Sequence, residues 1–232
     1  MNDITTLGFD ADDTLWHNER MFRLTEERFT ALLADFTDKD QLKERLLAAE
    51  RRNVLHYGYG VKGFTLSMIE TAIEVTDRRV HADVIAEILE AGRDMLSHPV
   101  EPLPYVEETL EELKSDYKLV LITKGDLFDQ ERKITVSGLH AYFDGIEIVS
   151  EKTASTYATL FARHGTGAAE AMMIGNSLKS DVLPALEAGA IGVHVPYEIT
   201  WSLEEADAPK SSDRFHRVDH IGKVPHLLAR LS

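Results

Sequence analysis

The chain has 232 residues, 25 Lys+Arg against 40 Asp+Glu, and no Cys, for a formal net charge of −15. That length suits one or two domains with a hydrophobic core, and a composition 44% hydrophobic and 28% charged argues against disorder. Without cysteine, a disulfide framework, a cysteine-based zinc site and a thiol nucleophile are excluded. The acidic balance disfavours nucleic-acid backbones and anionic lipid as partners, so a phosphate site would need a local cationic pocket or a metal. The opening MNDITTLGFD lacks the features of a signal peptide, and no run approaches the roughly 18 apolar residues of a membrane helix. A soluble, cytoplasmic monomer or small homo-oligomer is expected.

Short apolar runs predict strands at 4–9, 118–123, 145–149, 171–175 and 191–195. Most lack strict alternation, as suits parallel strands covered on both faces. Between the first and second run the chain reads as helix after helix. Phe22, Phe29, Leu32 and Leu33 form one apolar stripe, Leu42, Leu46 and Leu47 another, and 64–75 and 84–96 supply two more. Pro99, Pro102 and Pro104 mark the return. Helical patterns then fill 106–114, 130–137, 153–163 and 180–188. Strands alternating with helices predict an α/β doubly wound parallel sheet, with an all-helical insertion. The expected division is 1–15 and 99–232 for the α/β core and 16–98 for the inserted domain. Residues 198–213 read as a polar surface excursion, and 215–231 as the closing of the sheet edge with a last helix.

The sharpest local signal is Asp10-Ala11-Asp12-Asp13-Thr14 at the end of the first strand. Asp10 and Asp12, two apart, would face one side of an extended segment, at the strand end where open α/β sheets bind ligands. Paired carboxylates suit shared-proton acid/base chemistry or Mg²⁺ binding. The alternative is an acidic turn capping a helix. Three later features point to the same edge. Thr123, followed by Lys124-Gly125-Asp126, could hold a phosphoryl group with its hydroxyl and free amides. Lys152 could neutralise an anion. Gly175-Asn176-Ser177 ends a strand, with Asp181 five residues beyond Asn176. Singly, each has a bland reading as a structural Thr, a solvated Lys or a helix cap.

DADDT, LITKGD, SEK and GNSLKSD, in that order, resemble the four motifs of the haloacid dehalogenase-like hydrolase superfamily. LPYVEETLEELK and LEAGAIGVHVP also look like that family, and the insertion resembles its helical C1-type cap. The resemblance implies a Rossmann-like core and a phosphatase using Mg²⁺ on a small phosphorylated metabolite. Asp10 would be the nucleophile that forms an aspartyl-phosphate, and Asp12 the general acid/base. Thr123 and Lys152 would hold phosphoryl oxygens, with Lys152 also restraining Asp10. Asp10, the Asp12 backbone carbonyl, and Asn176 or Asp181 would hold the metal. Asn176 stands where the family usually has Asp, and Lys124 where it often has Asn. The Lys124 backbone amide would serve the substrate, with its side chain expected toward solvent. Rival readings are a 2-haloacid dehalogenase using the same Asp, a phosphomutase, and, in another class, a phosphoryl receiver or binding protein without turnover.

His56-Tyr57-Gly58-Tyr59-Gly60-Val61-Lys62-Gly63 formally matches G-x-G-x-x-G. Helical sequence precedes it, so a dinucleotide site is rejected. It reads as a mobile inter-helix loop, with Tyr57, Tyr59 and Lys62 as candidate substrate contacts. Residues 16–19 are expected to form a flexible hinge and flap.

Overall fold

A computed structural model describes residues 3–231. Six strands form one parallel sheet: β1 (Thr6–Phe9), β2 (Lys118–Lys124), β3 (Gly145–Val149), β4 (Ala171–Gly175), β5 (Ile191–His194) and β6 (Phe215–Arg217), in the order β3-β2-β1-β4-β5-β6. The order reverses at β1, which pairs with β2 on one side and β4 on the other. A crevice therefore opens at the carboxyl ends of β1, β2 and β4.

Chain contacts divide the protein into two units. One comprises 1–19, 100–124 and 130–232, and the other 20–99 and 125–129. In the first, side chains alternate between the two faces of the sheet. Leu7, Phe9, Leu119, Leu121, Met172 and Ile174 pack on one face, and Val120, Ile122, Ala171 and Met173 on the other. Helices α5 (Val106–Leu113) and α8 (Val224–Leu231) cover the first face with Val106, Leu110, Leu227 and Leu228. Helix α7 (Ala154–His164) covers the second with Tyr157, Leu160 and Phe161. Both faces are dry, which is why the strands read as apolar runs rather than alternating ones.

The second unit holds α1 (Glu19–Leu32), α2 (Lys39–Tyr57), α3 (Val61–Val75) and α4 (Ala82–Ser97). Phe29, Leu33, Leu42, Leu46, Phe64, Met68 and Ile88 form its core. Asp38 caps α2 by accepting from the Asp40 and Gln41 amides at 3.1 and 3.0 Å. Asn53 ties α2 to α3 through Ser67 Oγ (3.1 Å) and Glu70 (2.7 Å).

The connection between α2 and α3 is only Gly58–Gly60. Gly58 and Gly60 have φ of +72° and +104°, and a Cβ on Gly63 would lie 2.8 Å from the Gly58 carbonyl. The three glycines thus serve a tight helix–helix turn, shorter than the loop the sequence suggested. One further expectation is corrected. Trp16 is fully buried and bridges Pro102, so it anchors the core rather than forming a flap. The return pairing of Leu103 N with Leu15 O at 2.9 Å and His17 N with Glu101 O at 3.1 Å fixes the same segment. Among the described residues, no helix is long and apolar enough to cross a membrane.

Candidate active site

Asp10 is the first residue beyond β1, and its amide still donates to Ile174 O at 2.9 Å. Its carboxylate is buried and held at both oxygens. Oδ1 accepts from Lys152 Nζ at 2.5 Å, and Oδ2 from Thr14 Oγ1 at 2.9 Å. Lys152, just after β3 and ahead of α7, also reaches Asp181 Oδ1 at 2.7 Å. Asp181 sits on a π-helical turn (Leu178–Val182) and accepts the Ser177 amide at its other oxygen, at 2.9 Å. Gly175 makes room for this carboxylate, since a Cβ there would run into Asp181.

Two carboxylates around one ammonium leave the trio with a net negative charge. Burial first, and the Asp181 charge next, push the Asp10 carboxyl up to about 7, with Lys152 opposing both. Burial works against the Lys152 ammonium, but Asp10 and Asp181 outweigh it and hold its pKa above the usual lysine range.

Thr14 Oγ1 links Asp10 to β4. It accepts from the Asn176 amide at 3.0 Å and lies 3.3 Å from Asn176 Oδ1. His194 Nε2 is 3.0 Å from the Asn176 carbonyl. Thr123 is buried at the end of β2. The structure therefore brings Asp10, Asp12, Thr123, Lys152, Asn176 and Asp181 to one edge of the sheet, all within the α/β unit. Tyr57, Tyr59 and Lys62 lie on the helical unit. There Tyr57 is exposed, and Lys62 pairs with both oxygens of Asp126 at 2.9 and 3.0 Å.

Asp12 has a different environment from Asp10. Lys133 Nζ donates to its two oxygens at 2.6 and 2.7 Å, Gln130 Nε2 to Oδ2 at 2.8 Å, and Trp16 Nε1 to Oδ1 at 2.7 Å. Burial raises its pKa, but Lys133 foremost, then Gln130 and Trp16, hold it below the usual carboxylate range. Asp13 takes the capping role that the acidic turn allowed. At φ +62° it accepts from the Asn18 amide at 2.8 Å and the Glu19 amide at 3.1 Å, at the start of α1. Burial pushes its carboxyl up to about 7.

Lys124 departs from expectation. Its side chain is turned inward, with Nζ 2.7 Å from Glu204 Oε1 and 2.8 Å from Ser180 Oγ. Glu204 lies on a short 3₁₀ turn (Ser202–Glu204) in the segment read as a surface excursion. It also accepts from Ser177 Oγ at 2.7 Å and from Ser180 Oγ. Burial opposes its charge, but Lys124 and the two hydroxyls hold its pKa below the usual range. Sequence reasoning missed Thr14, Gln130, Lys133 and Glu204. Only the i, i+3 spacing of Gln130 and Lys133 on helix α6 (Leu127–Ser137) offered a local signal.

The model of the haloacid dehalogenase-like hydrolases matches residues 4–189. The chain belongs to that family. A haloacid dehalogenase-like family hydrolase from Xanthomonas campestris has a similar structure, with a TM-score of 0.88 and 43% identity over 99% of this chain and 96% of that one. A ribulose-1,5-bisphosphate 5-phosphatase of Halopiger xanaduensis is 32% identical over 140 residues, and a glyceraldehyde 3-phosphate phosphatase of Methanocaldococcus jannaschii is 26% identical over 201. The first match spans 55% of this chain and 56% of the relative, so just over half of that relative's length is covered. The second spans 81% and 82%.

The residues present fit a hard divalent cation. Among the described residues no three His, Asp or Glu side chains form a ready metal cluster. Mg²⁺ needs less, because one or two carboxylates and neutral oxygens suffice when substrate phosphate and water complete the shell. Asp10 and Asn176 Oδ1, joined through Thr14, are such oxygens, beside a trio of net negative charge. Asp181, like Asp10, has one donor on each oxygen and keeps a second lone pair on each.

Proposed function

We propose that the protein is a Mg²⁺-dependent phosphoric monoester hydrolase that cleaves a small phosphorylated metabolite through an aspartyl-phosphate on Asp10. The observation that carries this reading is a second carboxylate, Asp12, two residues after the first and on its own set of donors. Phosphatase names among the relatives support it.

Lys152 and Thr14 fix the Asp10 carboxylate at both oxygens, so its approach to phosphorus is set before substrate arrives. The hydroxyl of Thr123 and the ammonium of Lys152 would hold phosphoryl oxygens. An Asp10 oxygen bonds to phosphorus as the bond to the leaving oxygen breaks, and Asp12, having taken up a proton from solvent, gives it to that oxygen. Asp12 then takes a proton from water. The water oxygen bonds to phosphorus, the Asp10–phosphorus bond breaks, and phosphate leaves. Asp10, the Asp12 backbone carbonyl and Asn176 Oδ1 would hold Mg²⁺, with Asp181 balancing Lys152. The ion, when bound, neutralises charge on the phosphoryl oxygens. A dehalogenase would use Asp10 in the same way but has no task for Asp12, because a departing halide needs no proton.

The test is release of p-nitrophenol from p-nitrophenyl phosphate, with Mg²⁺ and with EDTA, beside Asp10→Asn. Turnover that needs both Mg²⁺ and Asp10 is expected, followed by a screen of sugar, nucleotide and organic-acid phosphates. Turnover of 2-haloacids without phosphatase activity would overturn the reading.

A further inference from the structure

Gln130 and Lys133 lie three residues apart on α6, both buried, and the steps above give them no task. Their polar ends meet at Asp12. Each Asp12 oxygen receives two donors: Lys133 and Trp16 on Oδ1, Lys133 and Gln130 on Oδ2. A carboxylate has about four lone-pair sites, so this one is full. These contacts therefore set the direction of the carboxyl group.

The donors are in turn held in place. Trp16 is locked in the core. Lys133 Nζ already has a second acceptor, Asn18 Oδ1, at 3.2 Å, and Gln130 Nε2 has another, the Lys124 carbonyl, at 3.1 Å. Both are therefore anchored at a second point as they meet Asp12. The Gln130 Oε1 atom is buried without a partner. Its own hydrogen-bond needs thus do not explain where this amide sits; its donor side does.

We propose that Lys133 and Gln130 are positioning residues that aim the Asp12 carboxyl group at the leaving oxygen, each steadied by its second acceptor, the Asn18 side chain or the Lys124 carbonyl. The proposal rests on the phosphatase reading and adds to it two residues outside the four motifs. It ties the aim of Asp12 to the Lys124 backbone at the end of β2.

A series of phosphate monoesters with increasingly basic leaving groups tests it: p-nitrophenyl phosphate, phenyl phosphate and an alkyl phosphate. The constant kcat/KM reports only the steps up to Asp10 phosphorylation, where p-nitrophenolate departs without needing a proton and an alkoxide does not. Lys133→Met should lower kcat/KM for phenyl and alkyl phosphate at least about tenfold more than for p-nitrophenyl phosphate, and Lys133→Arg should recover most of the difference. Gln130→Met should steepen the same dependence by a smaller factor, and it serves alone should Lys133→Met not fold by circular dichroism. Equal losses along the series, or no loss, would overturn the positioning role while leaving the phosphatase reading intact. A folded wild-type protein that hydrolyses none of the three with Mg²⁺ would overturn both.

Discussion

Lys152 is the residue on which the buried charges of the site depend. Its side chain is 1% exposed, and its ammonium lies 2.5 Å from Asp10 and 2.7 Å from Asp181. Lys152→Met keeps most of the packing and removes the charge, leaving two buried carboxylates facing each other. Breaking a buried ion pair from one side costs about 3–5 kcal/mol. For a chain of this length, 1 kcal/mol shifts Tm by roughly 2–4 °C, so the variant should melt about 6–20 °C lower at pH 8. The loss should shrink at low pH. Lys152 opposes the rise of the Asp10 carboxyl, which burial and the Asp181 charge have already taken to about 7, so without it the Asp10 value climbs further. The extra cost relative to wild type is therefore smallest below about 7 and grows as pH rises from there through the higher value in the variant. Thermal melts in EDTA at pH 5 and pH 8 read this directly. Asp181→Asn in the same background removes the repulsion and should recover much of the pH 8 loss. A deficit below about 1 kcal/mol, or one that is independent of pH, or one unchanged by Asp181→Asn, would refute the assignment of Lys152 as the charge that holds the two carboxylates together.

Gly175→Ala forces a methyl group into the Asp181 carboxylate. It should cost about 1–3 kcal/mol and lower phosphatase activity by displacing the Lys152 partner, as a melt and a rate measured on one preparation would reveal. Glu204→Ala strips the acceptor from Lys124, Ser177 and Ser180. A loss of about 1–3 kcal/mol is expected, with faster proteolytic cleavage in the segment 198–213. Asp13→Asn keeps an acceptor oxygen and a side chain tolerant of φ +62°, but removes a carboxyl that burial has raised to about 7. Wild type loses stability as pH rises from the unfolded carboxylate range to about 7, so Asp13→Asn should gain in Tm over wild type at pH 8 and gain little at pH 5.

The order of the four motifs was legible in the chain because each ends an apolar run. In a parallel sheet covered on both faces, strand ends share an edge, so Asp10, Thr123, Lys152 and Asn176 are brought together by topology that local pattern already implies. The helical insertion was equally legible, from stripes such as Phe29 and Leu33 that become its core. The acidic turn left two readings open, and the structure uses both: Asp10 sits in a buried charge cluster, and Asp13 caps α1.

The contacts that orient these groups are of another kind. Lys133 meets Asp12 across 121 positions of chain, and Lys124 meets Glu204 across 80. No periodicity encodes such pairs, because a surface lysine and a buried one look alike in sequence until the fold removes water from one of them. The sequence by itself determined which chemical groups stand at the strand ends. The tertiary structure alone decided which cation each carboxylate faces, and hence that burial lifts Asp10 while Lys133 holds Asp12 down. Charge separation over a few ångströms sets those opposite directions, and distances on that scale exist only once the chain has folded.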